Sequence, residues 1–199
     1  MESEQANAAA SESSVLGELQ GKRVLITGVT GFVGKVVLEK LIRAVPDIGG
    51  ITLLIRGNRR HGTASERFAN EVATASVFDR LRVDEPERLD TFLDSRIQCV
   101  TGEITEPCFG MTRARFQELA AETDGVINVA ASVDFREPLD QALAINALSL
   151  RNVTEFVQEA GDIPLVQVST CYVNGYNRGH RHEELVTPAG RGITRDPDG

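Results

Sequence analysis

The residues most able to do chemistry begin with Thr27-Gly28-Val29-Thr30-Gly31-Phe32-Val33-Gly34. This run follows the β-branched stretch Arg23–Thr27 and precedes apolar residues at helical spacing. Gly28 permits a sharp strand-to-helix turn, Gly31 lets the backbone approach a pyrophosphate, and Gly34 lets the helix pack close to the strand. The unpaired N–H groups and dipole of a helix starting there favour an anion. A glycine triplet alone would be an ordinary turn. Between a strand and a helix, in the first unit of an alternating chain, it predicts a dinucleotide site.

A second feature selects the dinucleotide. A site for NAD carries Asp or Glu at the end of the second strand, bonded to the ribose 2′-hydroxyl. Here Arg56 stands there, followed by Asn58, Arg59 and Arg60. A guanidinium matches a 2′-phosphate through paired, charge-assisted bonds, so the cofactor is read as NADP(H). A third feature, Ser169-Thr170-Cys171, closes the fifth apolar run. Cys171 invites a covalent-thioester mechanism, but no base is placed in sequence to activate it, and a buried cysteine is usually inert packing. His61, His180 and His182 lie in polar loops without further ligands, so no metal site is expected.

The elements that would position these groups follow a regular beat. Strands are expected at Arg23–Thr27, Ile51–Ile55, Ile97–Thr101, Gly125–Ala131 and Leu165–Ser169. Helices are expected at Phe32–Ala44, over residues 63–82, at Thr112–Ala121 and, as one long helix, at Leu139–Ala160. Thr63 and Glu66 have the spacing of a capping box. Strand and helix alternating in this way predict an α/β fold, a doubly wound parallel sheet of the Rossmann type. Right-handed crossovers give the strand order 3-2-1-4-5, with Gly28, Gly57, Gly102 and Ala131 at the ligand-facing edge.

Composition narrows the setting. The chain has 199 residues, 41% hydrophobic, enough for one good core. A net charge of −8 argues against a nucleic-acid surface. No apolar run nears the ~20 residues that span a bilayer. Residues 1–14 read as a disordered leader, neither signal nor transit peptide, and 15–199 as the nucleotide-binding domain. Three widely spaced cysteines, Cys99, Cys108 and Cys171, suit a reducing cytoplasm.

Several runs together resemble fatty acyl-CoA reductases, extended short-chain dehydrogenases of the thioester-reducing kind. They are Gly28–Leu41, Leu53–Arg56, Phe78–Arg82, Ala130–Phe135, Glu137–Asp140, Ile145-Asn146 and Val168–Gly175, within about residues 20–180. The resemblance implies that Thr30, Gly31, Phe32 and Val33 line the pyrophosphate and Arg56 the 2′-phosphate. Arg67 would reach the same phosphate, although a helix-surface arginine is usually only solvated. Glu103 and Ile104 would bracket the adenine; the family more often has Asp at the first position, and Glu serves as the same acceptor with one more methylene. Ala130, Ala131 and Ser132 would pass beneath the nicotinamide ribose. Asn146 would fix the catalytic geometry through backbone bonds, with a helix-surface amide as the alternative. Thr170 would supply the hydroxyl that holds the substrate carbonyl oxygen.

The activity so implied is NADPH-dependent reduction of a fatty acyl-CoA to aldehyde, or onward to alcohol, through a hemithioacetal that loses coenzyme A. Two alternatives stand beside it: the same chemistry on a carrier-bound thioester, and an NADP-binding module without turnover. The family's Tyr-x-x-x-Lys pair is not found, because Tyr172 and Tyr176 are followed four residues on by Tyr176 and His180. All lysines (Lys22, Lys35 and Lys40) precede residue 41. The chain is therefore expected to stop before the catalytic helix, to bind NADP(H) weakly and to be inactive alone. The sheet would be incomplete at its C-terminal edge and prone to self-association. Any membrane contact would be peripheral and lie in a C-terminal part absent here; oligomeric state stays open.

Overall fold

A computed structural model of the chain describes residues 15–170. Strand β1 (Arg23–Thr27) is buried in all but its first residue, as a strand flanked on both sides must be. After the glycine loop, α1 (Phe32–Ala44) turns Leu38, Leu41 and Ile42 inward. Then follow β2 (Gly50–Ile55), α2 (Ala64–Arg67), α3 (Asp79–Asp84), α4 (Pro86–Arg96) and β3 (Ile97–Thr101). The second half runs α5 (Arg113–Ala121), β4 (Gly125–Asn128), α6 (Leu139–Leu143), α7 (Leu150–Glu159) and β5 (Leu165–Gln167). All strand pairs are parallel, in the order β3-β2-β1-β4-β5, the doubly wound arrangement expected.

Alternation along the strands divides the core between two faces. Val24, Ile26, Ile51 and Leu53 face α1, Phe78, Leu81 and the α4 residues Leu89 and Phe92. Leu25, Leu54 and Val126 face the other way, onto Phe109, Phe116 and Phe156. Those three rings pack with centroids 5.2–5.4 Å apart. Burying each such side chain contributes about 1.5–3 kcal/mol. The sheet reverses direction of growth between β1 and β4, so the crevice beyond their C-terminal ends is where a ligand belongs.

Four expected elements differ in extent. The helix over residues 63–82 is interrupted: α2 passes into a π-helical turn at Phe68–Val72, and Ala75 is extended. Arg82 spans the break by donating to the carbonyls of Ala73 and Ala75. The capping box of Thr63 and Glu66 is present. The long helix over residues 139–160 contains a π-helical turn at Ala144–Leu148, where the buried Ser149 hydroxyl bonds back to the Ile145 carbonyl. Strand β4 stops at Asn128 because the next two amides, of Val129 and Ala130, donate to the Thr27 hydroxyl, each at 3.2 Å. With its partner gone, β5 stops at Gln167, opposite Asn128. Helix α4 has no counterpart in the sequence reading, although Pro86 at its first turn and Leu89, Phe92 and Leu93 at helical spacing mark it.

The chain divides into two units, residues 1–167 and 168–199. Of the second, Val168–Thr170 are described, and they are exposed.

Candidate functional site

The glycine loop makes the turn that the sequence calls for. Gly28 has φ +70°, and a Cβ there would lie 2.5 Å from the Ala130 nitrogen and 2.6 Å from the Val129 carbonyl carbon. Gly34 is equally closed, since a Cβ would strike the Gly28 carbonyl oxygen and lie 2.7 Å from the Val29 Cα. Gly31 is different: it is the N-cap of α1, and its N–H bonds the Gly28 carbonyl at 3.0 Å. No side chain caps α1 and its first turn holds no acid, so the first-turn amides and positive dipole end stay available to an anion. Phe32 is 82% exposed and Val33 47%, with Thr30 half-buried beside them. This cradle, too tight for side chains yet open at a helix N-terminus, fits a pyrophosphate.

Replacing Gly28 by alanine tests that geometry. A left-handed backbone costs an L-residue about 1–2 kcal/mol, and the overpacking adds about 1 kcal/mol or more. Gly28→Ala should therefore destabilise the fold by about 2–3 kcal/mol in urea melts. Stability within about 0.5 kcal/mol of wild type would mean that the loop yields freely.

At the neighbouring strand ends, the structure brings Arg56 and Glu103 together, with Nη1 to Oε2 at 3.0 Å. Arg56 is 63% exposed at its side chain, and Glu103 is steadied through its own N–H to the Phe109 carbonyl at 3.0 Å. Ile104 is buried, its carbonyl accepting from Asn152 at 2.8 Å. Behind them Cys108, Phe109 and Gly110 all have positive φ, from 51° to 73°. The buried Phe109 ring offsets this strain through the aromatic cluster. Arg67, by contrast, turns inward at 17% exposure, bonding the Arg56 carbonyl at 2.8 Å and Glu71 at 2.9 Å. Burial opposes ionisation of Glu71, but bonds from Arg67 and Asn58 outweigh it and hold the carboxyl below its usual range.

On the far side of the loop, Asn146 grips the backbone of Ser132 at both ends. Its Oδ1 accepts from the Ser132 N–H at 2.8 Å, and its Nδ2 donates to the Ser132 carbonyl at 3.0 Å. The π-helical turn is what presents it, and backbone bonding is the role expected of this residue. Ala130 is half-buried and Ala131 exposed where the chain leaves β4 for Ser132. A cleft of about 320 Å³ opens there between Ser132, Phe135, Leu139 and Asn146. Thr170 lies three residues past β5, in the second unit. Cys171 falls outside the described residues. Burial pushes the Cys99 thiol up to about 11, so it is no nucleophile at neutral pH.

One group was not singled out from sequence. The Thr27 hydroxyl donates to Asn128 Oδ1, and Asn128 Nδ2 donates to Gln167 Oε1 at 2.7 Å, joining β1, β4 and β5 at their ligand-facing ends. Its signal was visible: polar Thr27 and Asn128 each end an apolar strand.

Comparison with known proteins places this geometry. The NAD-binding model described as male sterility protein matches residues 26–197. The chain belongs to the male sterility protein family. Proteins of similar sequence include fatty acyl-CoA reductase 2, chloroplastic, of Arabidopsis thaliana, 38% identical over 85% of this chain and 28% of that protein. Fatty acyl-CoA reductase 1 of Gallus gallus is 32% identical over 85% of this chain and 32% of its own length. This chain thus spans about a third of the curated relatives it matches. Among solved structures, the terminal R domain from the myxalamid PKS-NRPS biosynthetic pathway aligns with a TM-score of 0.67 and 27% identity. That alignment covers 83% of this chain and 39% of the domain. A Helicobacter pylori ADP-L-glycero-D-manno-heptose-6-epimerase, 17% identical with a TM-score of 0.57, shares the fold alone. A member of this family binds NAD(P)(H). No helix among the described residues is long and apolar enough to cross a membrane.

Proposed function

We propose that this chain is the NADP(H)-binding part of a reductase that converts a fatty acyl-CoA thioester to the aldehyde, or onward to the alcohol. The observation that carries the reading is an arginine, Arg56, at the C-terminal end of β2, beside a glycine cradle whose relatives are named fatty acyl-CoA reductases. Bound NADPH supplies the hydride. The residues of the chain hold and orient: the first turn of α1 (Phe32, Val33, Gly34), with Thr30 and Gly31, takes the pyrophosphate, and Arg56 takes the 2′-phosphate. Glu103 and Ile104 border the adenine. Ala130, Ala131 and Ser132 carry the nicotinamide ribose, their course set by Asn146. Thr170 donates to the carbonyl oxygen as negative charge develops on it.

A carrier-bound thioester is the second reading, favoured by the likeness to an R domain from a PKS-NRPS pathway. Release of thiol from a long-chain acyl-CoA, compared with the same acyl group on a phosphopantetheinylated carrier, separates the two. We expect NADPH-dependent release from the free acyl-CoA in protein that includes this chain and the remaining length of the family. Release from the carrier alone would transfer the assignment to the second reading. The free thiols Cys99 and Cys108 suit a reducing compartment, which we take to be the cytoplasm. Any membrane contact would be peripheral.

A further inference from the structure

We infer that Glu71 is a positioning residue for the 2′-phosphate site: it touches no ligand, yet fixes the backbone from which Arg56 projects. The inference rests on the reading of Arg56 given above. Glu71 holds two partners at once, Asn58 Nδ2 on Oε1 at 2.8 Å and Arg67 Nε on Oε2 at 2.9 Å. Arg67 in turn donates to the Arg56 carbonyl at 2.8 Å, so one carboxylate ties the start and the middle of the loop to the same helix.

The loop itself is a closed turn that this tie orients. Asn58 Oδ1 accepts from the N–H groups of Arg60 and His61 at 2.9 and 2.7 Å, and the Asn58 N–H donates to the His61 carbonyl at 2.8 Å. Gly57 packs so tightly on Gly62 that a Cβ would lie 2.6 Å from the Gly62 carbonyl oxygen. A rigid turn of this kind moves as one piece, so its anchor decides where Arg56 sits. Glu71 lies in the π-helical turn Phe68–Val72, whose irregular geometry often marks a functional position. The neighbouring Val72 is wholly buried and anchors the helix independently.

Charge makes the same point. The loop concentrates Arg56, Arg59 and Arg60. Glu71 engages Arg67 and the neutral Asn58 rather than any of those three guanidiniums; Arg56 takes Glu103, whose single charge a dianionic phosphate outcompetes. Losing the tether should therefore cost the 2′-phosphate contact and spare the rest of the dinucleotide.

The test is NADPH and NADH affinity, by calorimetric titration of the chain itself, for wild type, Glu71→Ala, Asn58→Ala, Arg56→Ala and the Glu71→Ala/Arg56→Ala pair. Glu71→Ala should weaken NADPH about tenfold and leave NADH within about twofold, the size of one hydrogen-bonded charge contact. In the Arg56→Ala background it should change NADPH affinity by no more than about twofold, because its effect passes through Arg56. Asn58→Ala cuts the tie from the exposed loop side and should act in the same direction, which keeps the inference testable should Glu71→Ala fold poorly. Equal losses of both dinucleotides, or an undiminished effect in the double variant, would overturn the role of Glu71. If Arg56→Ala itself leaves the NADPH preference intact, Arg56 does not read the phosphate and both readings fall. If Arg56→Ala abolishes the preference and neither Glu71→Ala nor Asn58→Ala lowers it, only the positioning role fails.

Discussion

Thr170→Ala should lower kcat about 100- to 1000-fold in protein that turns over acyl-CoA, while NADPH affinity stays within about twofold. The hydroxyl is assigned to the carbonyl oxygen, where charge grows only as the reaction proceeds. An interaction made in the transition state and not before lowers kcat and kcat/KM equally and leaves KM alone. Cofactor binding is unaffected because the pyrophosphate and 2′-phosphate contacts are all assigned upstream, between Gly28 and Glu103. Cys171→Ser provides the contrast and should keep substantial activity. A dead Cys171→Ser beside an active Thr170→Ala would instead establish a covalent thioester and remove Thr170 from its assigned role.

Arg56→Glu is the second change with a large expected effect. It should weaken NADPH about 100-fold or more, because it replaces a charge-assisted pair with repulsion between carboxylate and phosphate. The new carboxylate would stand beside Glu103, which Arg56 now meets at 3.0 Å, so the site would face the phosphate with two negative charges. NADH should bind as well as before or better, since an acid at the end of the second strand is the group that bonds a free ribose 2′-hydroxyl. Fold stability should fall by no more than about 1 kcal/mol, because the Arg56 side chain is 63% exposed and its ion pair is screened by solvent. Titrations with both dinucleotides decide the matter: equal losses would mean that Arg56 does not read the phosphate.

Much of this was determined by the amino-acid sequence itself, for a local reason. A buried parallel strand needs a continuous apolar run, and Arg23–Thr27 and Ile51–Ile55 have no other reading once each is followed by a helical repeat. Strand order follows from the handedness of those crossovers, and 3-2-1-4-5 is the order observed. The glycine turn and the Thr63–Glu66 cap are equally local, each written within a few residues. What the tertiary structure alone decided are bonds between residues remote in sequence. Thr27 meets Asn128 across 101 positions and takes the next two amides on its hydroxyl, which ends β4 at Asn128 and lets Ala130–Ser132 leave the sheet toward Asn146. Arg56 meets Glu103 across 47 positions, and only there does a second-strand arginine acquire a carboxylate neighbour. The inward turn of Arg67 is nearer at hand, since Glu71 stands four residues on and Arg56 eleven residues back. Helical spacing puts it on a surface, but the free carbonyl of Arg56 and the carboxylate of Glu71 satisfy its guanidinium better than water does. Hydrogen bonds such as Thr27–Asn128 and Arg56–Glu103 leave no period in the sequence, because their partners are chosen by which strand ends the sheet sets side by side.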